Sequence, residues 1–163
     1  MVAFFLSLFV LLCSSPASAF ETRRTDVLST ASSAEVAKML LEKDHEANLR
    51  VDGHGDPMLS VTGPFFPYQV LFYGCREGAC ETLQLLAWWE QPGTLSPADV
   101  SALNRDVRDG RFYLDADGNP TVDMVVHLTG GITPENLSYV HERFLKAAAR
   151  VQRRLGEDAP ARP

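Results

Sequence analysis

The sequence predicts an α+β domain with an antiparallel sheet of about six strands flanked by helices. Strand-like segments with alternating apolar and polar residues occur in adjacent pairs, joined by short turns rich in glycine, aspartate and proline, as in β-hairpins. Three segments with apolar residues three and four positions apart stand outside these pairs, as in amphipathic helices. The predicted order is α-β-β-β-β-α-β-β-α, and no internal repeat divides the chain.

Each predicted helix follows a residue that can cap its N-terminus. Ser32 or Ser33 precedes the first helix, Ser96 the second and Thr133 the third, and the last two have proline at the first helical position. The predicted spans are 33–44, 97–109 and 134–155. The third helix carries a continuous apolar stripe, and its cations gather near the C-terminal end, where the helix dipole favours them.

The strands form three predicted hairpins. The first surrounds a glycine-containing turn at 53–57, the second joins the strongest strands at about 68–74 and 80–88, and the third surrounds a turn at 116–120. The aspartates of the third turn are similar to the start of a calcium-binding loop. That loop also needs glycine at its sixth position and glutamate at its twelfth, where this chain has Pro120 and Val126. The segment therefore predicts a hairpin turn and no calcium site.

The N-terminus predicts export. Residues 3–12 form an apolar run that is too short to cross a bilayer, which takes about 20 residues, but suits a secretory signal. Small residues at 17–19 predict cleavage after Ala19 and a periplasmic or secreted mature chain. Cys13 offers a lipoprotein alternative, although Leu12 stands where a small residue is expected. No cation precedes the apolar run, which leaves open a start further upstream.

Removal of the predicted signal at 1–19 leaves enough chain for one domain of ordinary size. We expect a flexible lead-in at 20–32, a single domain at 33–155 and a disordered tail at 156–163. The net charge of −6 disfavours nucleic-acid binding, because phosphate contacts need clustered cations. No later segment is long and apolar enough to predict a membrane span in the mature chain.

Cys75 and Cys80 frame a predicted four-residue turn in the second hairpin. Opposed cysteines at the end of a hairpin can meet the distance that a disulfide requires, and an oxidising compartment permits the bond. We expect a structural disulfide. A thiol-disulfide redox protein using the same pair is the alternative, which the spacing disfavours because it is not the two-residue spacing of redox motifs.

No catalytic or metal-binding pattern stands out, so the sequence predicts no enzyme, no cofactor and no metal. The serines lack a nucleophile elbow, the paired carboxylates fall in turns or on a solvated helix face, and no glycine-rich phosphate loop is present. No two of the four histidines are spaced three or four residues apart. A zinc site would need them to converge in space, which spacing alone does not show.

Two aromatic pairs are candidates for a partner surface. Trp88 and Trp89 are adjacent in a strand and therefore point to opposite faces, so one should enter the core and the other can meet another chain. Phe65 and Phe66 lie in a proline-bounded turn, where the same division applies. The partner would be another protein or a second copy of this chain in a homodimer.

Three arginines, Arg105, Arg108 and Arg111, follow Leu103 closely. They are candidate ligands for a small anion, which would make the protein a small-molecule sensor. The alternative is structural, with these side chains joining the second helix to the following hairpin by hydrogen bonds and ion pairs.

Three motifs resemble the YbjN-like family of bacterial sensory transduction regulators: F-Y-G-C with C-E-T-L-Q-L within 72–85, L-N-R-D-V-R-D-G-R-F-Y-L-D-A-D-G-N-P at 103–120, and L-T-G-G-I-T-P-E-N-L at 128–137. The resemblance covers about 27–155. It implies a fold like that of type III secretion chaperones, no established enzymatic activity, and a regulatory or protein-binding role. The relatives associated with this pattern look cytoplasmic, so an exported copy departs from the family. Together, these features predict a periplasmic, non-enzymatic protein-binding or regulatory module.

Overall fold

The computed structural model describes residues 27–156. The predicted signal at 1–19 lies outside the described residues, as do the first part of the predicted lead-in and all but the first residue of the predicted tail. The fold is the predicted α+β class with the predicted element order. Its elements are α1 (Ser33–Leu41), β1 (Glu46–Val51), β2 (Pro57–Thr62), β3 (Pro67–Arg76), β4 (Ala79–Trp88), α2 (Pro97–Asp106), β5 (Arg111–Leu114), β6 (Pro120–His127) and α3 (Pro134–Leu155).

The six strands form one open antiparallel sheet in the order β1-β2-β3-β4-β6-β5. The first four strands follow the chain, each paired with the previous one through a hairpin. The chain then leaves the sheet as α2. It returns so that β6 pairs with β4 and β5 becomes the edge strand beyond it.

The helices pack on one face of this sheet. Alternate residues of the central strands, such as Val70 and Phe72 in β3 and Leu83 and Leu85 in β4, point to that face and are buried. They share one core with Leu40 of α1, Leu103 of α2, and Phe144 and Val151 of α3. Within residues 27–156 no helix covers the opposite face, and none is both long and apolar enough to cross a membrane.

The opposite face carries a connected polar network. The Arg111 guanidinium donates to the Asp123 carboxylate from Nε (3.0 Å) and from a terminal nitrogen (2.5 Å). Gln84 Nε2 donates to the same carboxylate at 2.6 Å, and the Tyr73 hydroxyl donates to Gln84 Oε1 at 2.9 Å. Asp123 is buried beneath these partners, so its charge is satisfied by a chain of side chains that joins four neighbouring strands.

Two of the three predicted helices end earlier than the sequence suggested. The first ends at Leu41 instead of Asp44, because Asp44 adopts a left-handed backbone (φ 61°) and the next amide donates back to Leu40 O. The second ends at Asp106 instead of Asp109. Asn104 Oδ1 accepts a hydrogen bond from the Phe112 amide, and Asn104 Nδ2 donates to the Phe112 carbonyl, which draws the chain into β5. The third helix has the predicted bounds.

The turn between β3 and β4 has two residues, so the predicted four-residue turn was wrong. Glu77 and Gly78 both have positive φ (52° and 83°), as a tight type I′ hairpin requires. The strands continue past the cysteines, which lie directly opposite each other and form a disulfide.

The described part of the predicted lead-in is held by backbone pairing instead of being loose. Leu28 pairs with Ile132, and Ala31 exchanges two hydrogen bonds with Cys80 (3.0 and 2.9 Å). Cys80 is fully buried beneath this segment. Cys75 is only partly buried, so the burial of Cys80 shields one side of the bridge from thiol-disulfide exchange, which favours the structural role over the redox alternative.

Replacing both Cys75 and Cys80 by serine should lower the free energy of unfolding by about 2 kcal/mol, because the bridge closes only a short loop in the unfolded chain. Urea denaturation of the oxidised protein and the variant measures this difference. Dithiothreitol should produce the same loss in the wild-type protein and none in the variant. A bridge that exchanges rapidly with millimolar glutathione in the folded protein would instead support redox chemistry.

Candidate partner-binding site

A groove of about 650 Å³ runs between α3 and the turn that joins β2 to β3. One wall is the turn, through Pro64 and Phe65. The other wall is one side of α3, which contributes Glu142, Leu145, Lys146, Ala149, Gln152 and Arg153. The groove therefore combines an apolar floor with a rim that carries both amide and charged groups.

The two phenylalanines of the turn have opposite environments. Phe66 is buried, with its ring 6.3 Å from that of Tyr68 and 6.0 Å from that of Trp89. Phe65 is 72% exposed at the groove, and its carbonyl accepts a hydrogen bond from Gln152 Nε2 at 3.4 Å. The buried ring anchors the turn, so the exposed ring is presented from a fixed position.

A buried polar cluster lies beneath the groove. The Tyr68 hydroxyl contacts His141 Nε2 at 2.6 Å and His45 Nδ1 at 3.2 Å, and all three side chains are buried. The hydroxyl has one hydrogen and can donate to only one imidazole, so the other imidazole must donate to the hydroxyl oxygen. His141 Nδ1 is buried and makes no hydrogen bond within the described residues.

This cluster positions both walls of the groove. A Cβ atom on Gly63 would lie 2.8 Å from His45 Nδ1, so only glycine lets the turn approach the imidazole this closely. On the other wall, His141 directly precedes Glu142 in α3, and Phe144 packs its ring 5.4 Å from that of Tyr68. The turn and the helix are thus fixed to the same three side chains.

Both histidines of the cluster favour the neutral form. Burial, followed by the charge that His45 carries when protonated and by the charge of Lys43, lowers the pKa of His141 to about 4, against a smaller opposing effect of Glu142. Burial also lowers the pKa of His45 and raises that of Tyr68. In the described part of the chain, no three His, Cys, Asp or Glu side chains are grouped to hold a metal ion.

A second recess, of about 480 Å³, lies beside the groove and shares Lys146 and Arg153 with it. It is lined by Asp106, Val107, Arg108 and Asp109 from the segment between α2 and β5, and by Arg143, Lys146, Ala147, Ala149, Arg150 and Arg153 from α3. We call it the cationic cleft. The Arg143 guanidinium donates to the Asp109 carboxylate, with Nε at 2.8 Å, and joins the two walls. Lys146, Ala149 and Arg153 line both the groove and the cleft.

The structure separates the predicted aromatic candidates. Trp89 and Phe66 are buried in the core and are not available to a partner in this conformation. Trp88 is half-buried on the helix-free face, in a shallow depression with Leu86 and Tyr113. Of these four aromatic residues, Phe65 is the most exposed.

The predicted arginine candidates do not form one site. Arg111 pairs with Asp123 on the helix-free face, and its guanidinium carbon lies 5.0 Å from the centre of the Tyr113 ring. Arg105 is exposed beside Asp106 and lines neither recess. Only Arg108 enters the cationic cleft, where it meets α3 cations that the sequence analysis did not assign to an anion site.

The fold and these recesses define a small α+β domain that presents an apolar groove beside a cationic cleft. The chain belongs to the YbjN family, whose sequence model matches residues 32–157 and whose description is "Putative bacterial sensory transduction regulator". This match confirms the resemblance found in the sequence, and the family description indicates a regulatory protein. A comparison with curated proteins found no match.

The buried histidines predict a loss of stability in acid. The unfolded chain takes up a proton near the ordinary histidine pKa of about 6.5, whereas folded His141 resists protonation until about pH 4. The contribution of His141 to the free energy of unfolding should therefore be fully present above pH 6.5 and fall by about 3 kcal/mol between pH 6.5 and 4. Urea denaturation across pH 4–8 measures this loss.

His141→Gln should flatten this part of the pH profile, because a neutral amide can still accept from Tyr68 but does not titrate. His54→Gln is the matched control, since His54 is exposed in the turn between β1 and β2. An unchanged slope in His141→Gln would show that other groups cause the acid sensitivity.

Proposed function

We propose that this protein is an exported, non-enzymatic regulatory module that binds a partner protein through the Phe65 groove. The observation that carries the proposal is the 72% exposure of Phe65 from a turn whose neighbouring aromatic ring is anchored in the core. Export rests on the predicted signal at 1–19, which supports a periplasmic or secreted location.

Apolar burial would supply the binding energy. Covering a phenylalanine side chain fully contributes about 1.5–3 kcal/mol, and aromatic residues are enriched at protein interfaces. Leu145 and Ala149 extend the apolar floor along α3. A recess between a turn and a helix fits a side chain or short helical segment of another protein, as in helix-in-groove recognition.

The charge of the rim specifies the partner further. Lys146 and Arg153 lie along the groove, while its one carboxylate, Glu142, is already paired with Lys43 at 3.1 Å. The free charge at the rim is therefore positive, although the chain as a whole carries −6. A complementary segment has an apolar side chain flanked by carboxylates, which gives both contact area and electrostatic steering.

The test uses a synthetic helical peptide with leucines on one face flanked by glutamates, and a second peptide with lysines in place of the glutamates. Fluorescence anisotropy should show binding of the acidic peptide and much weaker binding of the basic one. Phe65→Ser should weaken the acidic peptide's affinity by about tenfold or more, from the apolar burial lost. Tyr139→Ser is the matched control, because Tyr139 is a 58% exposed aromatic residue of α3 outside the groove.

Equal binding of the two peptides, or an unchanged affinity in Phe65→Ser, would contradict the proposed partner class. Sedimentation of the protein alone tests whether a second copy of this chain occupies the groove instead. Self-association that Phe65→Ser abolishes, together with no peptide binding, would replace the partner with a second copy of this chain.

Export has a separate test. Expression of the full chain in a bacterial host, followed by fractionation and N-terminal sequencing, should yield a periplasmic protein that begins at Phe20. An Ala17→Leu, Ala19→Leu variant should remain uncleaved, because signal cleavage requires small residues at these positions. Soluble, unprocessed wild-type protein in the cytosol would contradict the proposed location but would leave the groove tests unaffected.

A further inference from the structure

The cationic cleft brings together charges from two separate elements. Five cations and two carboxylates line it. Asp109 is paired with Arg143, and Asp106 lies 3.8 Å from Arg105 outside the cleft. Within residues 27–156, the other four cations of the cleft make no ion pair or hydrogen bond with another side chain: Arg108, Lys146, Arg150 and Arg153.

The helix dipole does not account for this concentration. A dipole favours cations in the last turn of a helix, where α3 has Arg153 and Arg154. Lys146 lies two turns earlier, and Arg108 belongs to the connection between α2 and β5. The five cations of the cleft outnumber its two carboxylates, so like charges repel each other there, and an anion between the two walls would reduce that repulsion.

We propose that the cationic cleft binds a small anion that carries at least two phosphate groups. Arginine supplies four of its five cations, and the planar guanidinium matches phosphate oxygens in a bidentate geometry that lysine does not offer. The volume of about 480 Å³ falls in the usual range of small-ligand sites and exceeds what one phosphate fills. The four cations that make no ion pair within residues 27–156 can neutralise most of the charge of a diphosphate group.

The same chemistry occurs in a soluble diphosphate and in the headgroup of an anionic lipid that carries two phosphates. The cleft is a recess and not a protruding surface, and its apolar lining consists of small side chains and Val107. We therefore assign it to the phosphate groups themselves. Separate arms of the experiment determine whether they belong to a free anion or to a lipid.

The first arm uses inorganic pyrophosphate as the probe with the mature protein. Calorimetric titration should show binding that weakens as salt increases, because the contacts are ionic. Arg108→Gln combined with Arg150→Gln should reduce the affinity by about tenfold or more, since each removes a charge-assisted contact. Arg105→Gln is the matched control, as Arg105 is exposed on α2 and does not line the cleft.

The second arm uses vesicles of cardiolipin, whose headgroup carries two phosphates, mixed with phosphatidylcholine, against vesicles of phosphatidylcholine alone. Binding to the anionic vesicles that the double variant loses, without binding of pyrophosphate, would assign the site to a lipid headgroup. Binding to neither probe, or equal binding by wild type, double variant and control, would overturn the anion site. Circular dichroism and thermal unfolding confirm that the variants are folded.

The test separates this inference from the proposed partner site. Arg108 and Arg150 line the cleft but not the groove, so the double variant should lose pyrophosphate binding and keep most of its affinity for the acidic peptide. Loss of pyrophosphate binding with intact peptide binding identifies the cleft as a separate site. Failure of the peptide to bind any variant would contradict the partner proposal alone.

Discussion

The Tyr68 hydroxyl, buried between two neutral imidazoles, determines where α3 lies on the sheet. Apolar contacts such as those of Phe144 and Val151 would tolerate small shifts of the helix, because they have no direction. The hydrogen bond of 2.6 Å between the Tyr68 hydroxyl and His141 Nε2 is directional, and a buried polar group that loses its partner is costly. His45 brings the segment between α1 and β1 to the same hydroxyl. Three regions of the chain therefore meet at one point, and the groove and the cleft both depend on it because α3 forms a wall of each.

Different sides of α3 contact the core, the groove and the cleft. Leu137, His141, Phe144, Ala148 and Val151 face the core, while Leu145 and Ala149 form the groove floor and Arg143 and Arg150 face the cleft. The helix-free face of the sheet is organised differently. There, Arg111, Asp123, Gln84 and Tyr73 are paired with one another, so their polar groups are already satisfied before any partner arrives. The groove beside α3 combines an exposed ring with cations that make no ion pair in the described part of the chain, and this combination is the physical reason for proposing the partner there.

The sequence predicted most of the fold because helix and strand periods are local signals. Thr133, Pro134 and the apolar stripe predicted both ends of α3, and strand alternation also distinguishes the two tryptophans. Leu83, Leu85 and Ala87 share the parity of Trp89, which points Trp89 into the core and Trp88 away from it. By the same rule, buried Phe112 turns Arg111 to the face opposite the helices and away from the cleft. No local signal could join Tyr68 to His141, which lie 73 residues apart, or bring Arg108 to the cations of α3. These contacts arise from the packing of helix on sheet, which neither spacing nor composition encodes.

The groove and the cleft share Lys146 and Arg153, and this sharing links their proposed occupants. Both proposed occupants are anionic, so a phosphate-bearing ligand in the cleft would neutralise cations that attract an acidic segment to the groove. Thermodynamic linkage makes the effect reciprocal, because each occupant weakens the other by the same factor. The effect needs no movement of the backbone, since the two recesses share cations of one helix. A rigid domain with two competing anionic occupants can thus report the concentration of one through the release of the other, which is the minimal physical requirement for a sensory regulator.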